Sequence, residues 1–253
     1  MGMKPKHRRA EITDILLHEG RVSVEWLASK FNTSVETIRR DLGVLSNAGK
    51  LQRTHGGAIL ASGKGEGSFR QRMGENVAAK RLIAQKASAL VSPGDTLFVD
   101  AGSTTLMLAE ELAYVDQLTI ITNSAQIAKI LGGQNSTRLF LIGGAYNAEN
   151  SASYGQMAIS QLSGFRANFA FSTVGAIDKT GGAMNFDLDE AELARSMFAR
   201  AEKTVVLADE SKFNSVAPFE VSPFSGIDLM VSDCLPDETL QEVLRAESVK
   251  IVC

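Results

Sequence analysis

From residue 77 onward, short apolar runs alternate with amphipathic segments, and this alternation restricts the fold more than any other feature. The runs are Thr96-Leu-Phe-Val-Asp100 and residues 118–122, 138–142, 170–174, 204–207 and 227–232. Helical patterns fall around or between them. One covers residues 80–91, with Leu82, Ile83, Ala87 and Leu90 expected inward, one runs from the 101–105 loop through Leu112, and one follows Asn123-Ser124 and ends before Gly132-Gly133. Two more lie at 188–201 and 237–246. A strand that is apolar at nearly every position must be covered on both faces, which requires a parallel sheet between layers of helices. The expected fold class is therefore α/β, with a mainly parallel sheet in residues 77–253.

Residues 1–60 follow a different pattern. Helical periodicity over residues 8–19 places Ile12, Ile15 and Leu16 on one face, with Gly20 positioned to stop it. A second short helix is predicted over residues 22–31, capped by Ser23 and burying Val24, Leu27 and Phe31. Phe31-Asn-Thr-Ser34 reads as a tight turn in which Asn32 takes the left-handed conformation. Ser34 then caps a third helix, Ser34-Val-Glu-Thr-Ile-Arg-Arg-Asp-Leu42 and onward to Gly49, with Val35, Ile38, Leu42 and Leu45 on its buried stripe. Thr37, Arg40, Asp41 and Val44 share a neighbouring face, flanked by Arg39. Two short β-like segments around His55-Gly56-Gly57 complete a winged helix-turn-helix. The candidate DNA contacts are Ser23, Ser34, Thr37, Arg39, Arg40, Arg53 and His55. Each has an ordinary alternative: an Arg pair in solvent for Arg39 and Arg40, a turn histidine bonded to local backbone for His55. Trp26 reads as core or partly covered packing.

Charge supports the division. Residues 1–60 carry a net charge of +4 and the remainder −7, within a total of −3. A small basic module beside an acidic domain suits a protein of which one part touches phosphate backbone. Residues 61–76 begin with Ala-Ser-Gly-Lys-Gly-Glu-Gly-Ser, a flexible linker in composition. The expected organisation is 1–60 DNA-binding, 61–76 linker, and 77–253 effector sensing and oligomerisation. No apolar run is long enough to span a membrane, and no hydrophobic segment follows the basic N-terminus, so a cytoplasmic protein with no membrane contact is expected. Cys234 and Cys253 are too few for a metal site without nearby histidines, and no histidine lies beyond His55. No metal, cofactor or catalytic residue is expected.

In parallel sheets, ligands bind beyond the carboxyl ends of the strands. Those ends read Asp100-Ala-Gly-Ser-Thr-Thr105, Thr122-Asn123-Ser124, Gly143-Gly144, Gly175, and Asp209-Glu-Ser-Lys212. Gly102 permits close backbone approach, Ser103, Thr104 and Thr105 offer hydroxyl donors at a helix start, and Lys212 offers a point charge. Asp187, Asp189 and Glu190 could hydrogen-bond sugar hydroxyls, although acidic residues opening a helix are also ordinary dipole partners. Taken together, the strand ends suggest a site for a phosphorylated small molecule.

The sequence resembles the DeoR-type family of bacterial transcriptional regulators. Ser-Val-Glu-Thr-Ile-Arg-Arg-Asp-Leu and Arg-Thr-His-Gly-Gly-Ala are similar to its DNA-binding half. Asp-Ala-Gly-Ser-Thr-Thr, Thr-Asn-Ser, Gly-Gly and Ala-Asp-Glu-Ser-Lys-Phe are similar to its sensor half. Phe165-Arg-Ala-Asn, Val174-Gly-Ala-Ile-Asp178 and Asn185-Phe-Asp187 resemble the branch that holds the glycerol-3-phosphate repressor and sulfosugar-catabolism regulators. Where that branch commonly has a basic residue after Gly-Gly, this chain has Ala145-Tyr-Asn-Ala-Glu149. The resemblance implies an isomerase/CoA-transferase-like sensor fold, with Lys80 and Lys212 as phosphate contacts and Asp100 and Asp209 as hydroxyl-binding or loop-organising groups. The full set of candidate effector contacts is Lys80, Asp100, Gly102, Ser103, Thr104, Thr105, Thr122, Asn123, Gly143, Gly144, Gly175, Asp187, Glu190, Asp209 and Lys212.

The implied function is a repressor of a carbohydrate-catabolic operon that binds double-stranded operator DNA as a dimer or tetramer and is released by a phosphorylated sugar or polyol. The rivals are an isomerase-like enzyme with a DNA-binding appendage, and an activator with the same sensor.

Overall fold

A computed structural model describes residues 5–19, 21–47, 51–54, 56–60 and 67–253. The chain divides into two compact units, Met1–Gln71 and Arg72–Cys253.

In the first unit, helices α1 (Pro5–Glu19), α2 (Val24–Lys30) and α3 (Val35–Asn47) surround a small core of Ile12, Leu16, Leu27, Ile38, Leu42 and Leu45. Of the predicted stripes of α1 and α3, Ile12, Leu16, Ile38, Leu42 and Leu45 are buried, while Ile15 and Val35 are partly buried against them. Asn32 has φ 46°, which turns the chain sharply between α2 and α3. The second helix begins two residues later than expected. Residues 21–23 instead form a strand, β1 (Arg21–Ser23), which pairs with β3 (Gly57–Leu60), itself paired with β2 (Leu51–Thr54). A three-residue strand has no room to show alternation, so the wing's third strand left no periodic signal. Gly56 (φ 94°) supplies a left-handed turn between β2 and β3 that a side chain would resist. The expected helix ends at Gly20 and Gly49 and the candidate contact His55 fall outside the described residues.

Helix α4 (Phe69–Gly74) lies within the stretch expected to be linker. The second unit then runs α5 (Val77–Ser88), β4 (Thr96–Val99), α6 (Ser103–Leu112), β5 (Thr119–Thr122), α7 (Ala125–Leu131) and β6 (Arg138–Leu141). It continues through β7 (Ala145–Asn147), β8 (Ala152–Tyr154), α8 (Gln156–Leu162), β9 (Ala167–Thr173), β10 (Ala176–Asp178) and β11 (Gly182–Asn185). The last elements are α9 (Leu188–Phe198), β12 (Ala201–Leu207), β13 (Phe219–Ser222), β14 (Leu229–Val231), α10 (Glu238–Ala246) and β15 (Lys250–Val252).

Seven strands form one sheet in the order β15-β14-β12-β9-β4-β5-β6, and every pairing in it is parallel. All six predicted strands belong to it, with β15 added at the edge. Helix α5 buries Ile83, Ala84 and Ala87 but leaves Leu82 exposed, contrary to expectation: the helix starts at Val77, and Ala84 takes the inward position. Two smaller antiparallel sheets, β7-β8 and β10-β11-β13, were not foreseen. Strand order sets the site. Strands β4, β5 and β6 are laid out in one direction and β9, β12, β14 and β15 in the other, so the order reverses between β4 and β9. Such a switch point opens a crevice at the strand ends.

Candidate functional site

On α3, Ser34 acts as the N-cap: its hydroxyl accepts from Thr37 N–H at 3.2 Å and lies 2.8 Å from the Thr37 hydroxyl. Ser23 caps α2 in the same way, accepting from Trp26 N–H at 3.1 Å. Both serines are therefore engaged in helix starts. Arg39 and Arg40 are exposed, and Arg39 makes only a loose surface pair with Glu36 at 3.9 Å. Thr37, Arg40 and Val44 follow one another along one face of α3, with Val44 43% exposed. Asp41, expected on that outward face, is instead buried. It accepts from Arg8 Nε at 2.6 Å and pairs with Arg9 Nε at 3.5 Å, tying α1 to α3. Trp26 is also more open than expected, at 46% exposure, with the Lys30 ammonium 5.2 Å from its ring centre. Arg53 is exposed on β2.

In the second unit the crevice lies where β4 and β9 end. Asp100, directly after β4, is buried; its carboxylate accepts from the Ser172 hydroxyl and from Thr173 N–H at 3.3 Å, both at the end of β9. Gly102 is required by the same closeness, since a Cβ there would overlap the Thr173 hydroxyl. It also begins α6, whose first turn holds Ser103 and Thr104, both buried. Asn123, after β5, is 1% exposed. Its Nδ2 donates to the Ser153 carbonyl at 3.1 Å, while its Oδ1 has no hydrogen-bond partner.

Asp100, Ala101, Asn123, Tyr154, Thr173, Asn185, Glu190 and Leu193 line a recess of about 10 Å³, room for roughly one water-sized group. Tyr154 and Glu190 also line a wider cleft of about 390 Å³ walled by residues 145–148 together with Asp187 and Asp189. Asn150 stands behind both shared residues, donating from Nδ2 to the Tyr154 phenol oxygen at 2.7 Å and to Glu190 at 3.2 Å. Burial, reinforced by the Glu190 and Asp100 carboxylates, pushes the Tyr154 phenol far above its ordinary value, so it stays protonated.

Of the predicted contacts, the structure thus gathers Asp100, Asn123, Asp187 and Glu190 around these two hollows, with Gly102, Ser103 and Thr104 adjoining in sequence. It disposes of the others differently. Thr105 is fully buried and its hydroxyl donates to the Gly102 carbonyl at 3.1 Å, so it closes the helix turn rather than facing a ligand. Gly175 N–H donates to Asn185 Oδ1 at 2.7 Å and to the Met184 carbonyl at 2.9 Å; its donor is engaged within the fold. Gly143 is clamped by the Gln161 amide at both N–H and carbonyl, and Gly144 allows the chain to pass against Tyr154 and Ala158. Thr122 is fully buried and accepts from Ser124 N–H at 3.1 Å.

Asp187 caps α9, accepting from Asp189 N–H at 2.9 Å and Glu190 N–H at 3.2 Å. Asp209 organises its own loop, accepting from Ser211 N–H and from Asn76 Nδ2, both at 3.0 Å. Lys80 is buried and donates to the Arg72 carbonyl. Lys212 is half-buried at the end of the 3-10 turn Glu210–Lys212 and, like Lys80, lies outside the lining of either hollow. The residues missed from sequence are Asn150, Tyr154, Thr173 and Asn185. Three of them belong to the short antiparallel excursions around β8 and β11, which carry no strand-end signal. Thr173 lies within the predicted strand 170–174, one residue before its end, and could have been found by reading β9 as closely as β4.

A winged helix-turn-helix followed by an α/β unit with a polar crevice at its switch point defines a DNA-binding regulator that answers to a small molecule. Residues 8–64 match the DeoR-like helix-turn-helix domain and residues 75–234 the DeoR C terminal sensor domain. The chain belongs to the DeoR family of transcriptional regulators. It is 31% identical to the HTH-type transcriptional repressor CsqR of Escherichia coli, over 97% of this chain and 94% of the relative. It is 29% identical to the glycerol-3-phosphate regulon repressor of E. coli, over 98% and 99%. With the L-fucose operon activator of Haemophilus influenzae it shares 34% identity over 92% and 94%. Among the described residues, no helix is long and apolar enough to cross a membrane.

Proposed function

We propose that this regulator is a repressor of a carbohydrate-catabolic operon, and that a phosphorylated sugar or polyol releases it from its operator. The observation that supports the ligand class is the polar crevice at the β4–β9 switch point, where buried carboxylate and amide oxygens meet the N-terminus of α6. The carboxylate-rich hollows suit hydroxyls. The α6 start, with its first-turn N–H groups and the Ser103 and Thr104 hydroxyls, suits the phosphate. Two relatives named as repressors, one of them of a glycerol-3-phosphate regulon, support repression and the ligand class; the named activator keeps position of the operator, not the protein, as the final arbiter.

On DNA, α3 enters the major groove with Thr37, Arg40 and Val44 towards base edges, Arg39 towards phosphate, and the Arg53 wing alongside. A single module of this size holds DNA weakly, so the chain acts as a homo-oligomer on repeated half-sites. The effector shifts the equilibrium only if it binds the DNA-free arrangement more tightly. The sensor unit binds its ligand without turning it over.

A gel shift on the gene's own upstream region, repeated with a panel of phosphorylated C3–C6 metabolites, tests the whole reading. At least one compound should abolish the shift and be recovered unchanged. Release by none of them would overturn the sensor assignment, and conversion of the compound would overturn the non-enzymatic one.

A further inference from the structure

The recess beside Asp100 is smaller and more selective than a general carbohydrate site. Its volume of about 10 Å³ admits one water-sized group. Asn123 lines it and carries a buried carbonyl oxygen with no partner, and the orientation of its amide is fixed, because its Nδ2 must face the Ser153 carbonyl. A buried acceptor left without a donor is costly, so a hydroxyl that satisfies it gains more than one placed in open water. Opposite stands Tyr154, whose oxygen already accepts from Asn150 and whose own hydrogen is left to donate. The Asp100 and Glu190 carboxylates, with Thr173, Asn185, Ala101 and Leu193, make up the rest of the lining, and no lysine or arginine contributes to it. A phosphate oxygen would meet negative charge and an acceptor; a hydroxyl offers one donor and one acceptor, as the walls require.

We propose that this recess is a subsite for a single hydroxyl of the effector, donating to Asn123 Oδ1 and accepting from the Tyr154 phenol, and that it excludes the phosphate. The proposal rests on the sensor reading above. It assigns Asn123 and Tyr154 as specificity determinants, leaves the phosphate to the α6 start, and puts the other hydroxyls towards the wider cleft beside Tyr146 and Asp187.

The test is calorimetric titration of the full chain with inorganic phosphate, glycerol 3-phosphate, ribose 5-phosphate, fructose 6-phosphate and glucose 6-phosphate. At least one organic phosphate should bind about tenfold or more tightly than inorganic phosphate, a margin of roughly 1.4 kcal/mol. Tyr154→Phe removes only the hydroxyl and should erase most of that margin, as should Asn123→Leu, with inorganic phosphate unchanged in both. If Asn123→Leu melts well below the parent, Tyr154→Phe decides by the same criterion.

The subsite is overturned if no compound exceeds inorganic phosphate. It is equally overturned if Tyr154→Phe keeps the full margin, or if inorganic phosphate weakens in parallel. A gel shift without added sugar separates the two levels. Absence of operator binding would defeat the regulator reading itself, whereas operator binding with a failed margin defeats only the subsite.

Discussion

At the scale of single residues, several side chains that suggested ligand contact turn out to hold backbone in place. Ser34 is the clearest, since its hydroxyl caps α3 at the very point where that helix would meet DNA. Replacing an N-cap serine by alanine costs about 1 kcal/mol. Trp26, the only tryptophan, lies in the same unit, so its fluorescence reports unfolding of that unit alone. Ser34→Ala should lower the thermal midpoint read from Trp26 by roughly 4–8 °C, as expected for a unit of this size. An unchanged midpoint would mean the capping bond contributes nothing. Asp178 plays a similar part in the β10–β11 turn, where its carboxylate accepts from Thr180 N–H at 2.9 Å, from the Thr180 hydroxyl and from Gly181 N–H at 3.4 Å. The Thr180 hydroxyl, followed by backbone N–H groups, holds the acid below its ordinary value of 3.8. The charged form is thus favoured by folding: its stabilisation is complete above the ordinary value and is lost as pH falls below 3.8 through the depressed value. Asp178→Asn should therefore make the sensor unit's stability less steep between about pH 4 and pH 2 than in the parent. Parallel slopes would remove Asp178 from the account.

At the scale of elements, periodicity carried as far as the elements were long. Strands β4, β5, β6, β9, β12 and β14 were legible because each is apolar on both faces, and α1 and α3 because their buried positions recur at three and four. The strands β1, β7, β8, β10 and β11 are as short as several of these but contain polar residues or glycine and no unbroken apolar run, and two residues that line the recess, Tyr154 and Asn185, sit on them. Helix spacing also misled at Asp41, because a buried ion pair occupies a position that charge alone would send to solvent. That pair ties α3 to α1 alongside the core packing of Ile12 and Leu16 with Ile38 and Leu42. Removing one member of a buried pair costs about 3–5 kcal/mol, since the other charge stays buried. Asp41→Ala should therefore lower the stability of the first unit by about 3 kcal/mol in urea unfolding followed through Trp26. Arg39→Ala, which breaks only the exposed pair with Glu36, should change it by less than about 1 kcal/mol. Equal effects would show that burial of the Arg8–Asp41 contact has no bearing on how α3 is held.

Across the whole molecule, the uneven charge found in the sequence becomes a division of labour. The basic residues proposed to meet DNA are exposed on α3 and β2, while the Asp100, Asp187, Asp189 and Glu190 carboxylates line the two hollows proposed for a polyhydroxy ligand. Reading and sensing should then be separable by mutation. Arg40 is exposed on α3 and has no ion pair among the described residues, so its loss removes no internal contact there. Its proposed bidentate contact with guanine is worth roughly 1–3 kcal/mol of discrimination per site. In an oligomer that contacts two half-sites, the loss is counted twice. Arg40→Ala should thus reduce specific operator binding by at least about a hundredfold, while leaving unfolding of Arg72–Cys253 where it was. It should also keep part of its affinity for unrelated DNA, because phosphate contacts from Arg39 and Arg53 persist and their strength falls with added salt. Competition gel shifts at two salt concentrations, with operator and scrambled duplexes, measure all three quantities. Parallel loss on both duplexes would make Arg40 a phosphate clamp instead of a base reader. A lowered midpoint for the sensor unit would mean that its stability depends on residues of the DNA-binding unit.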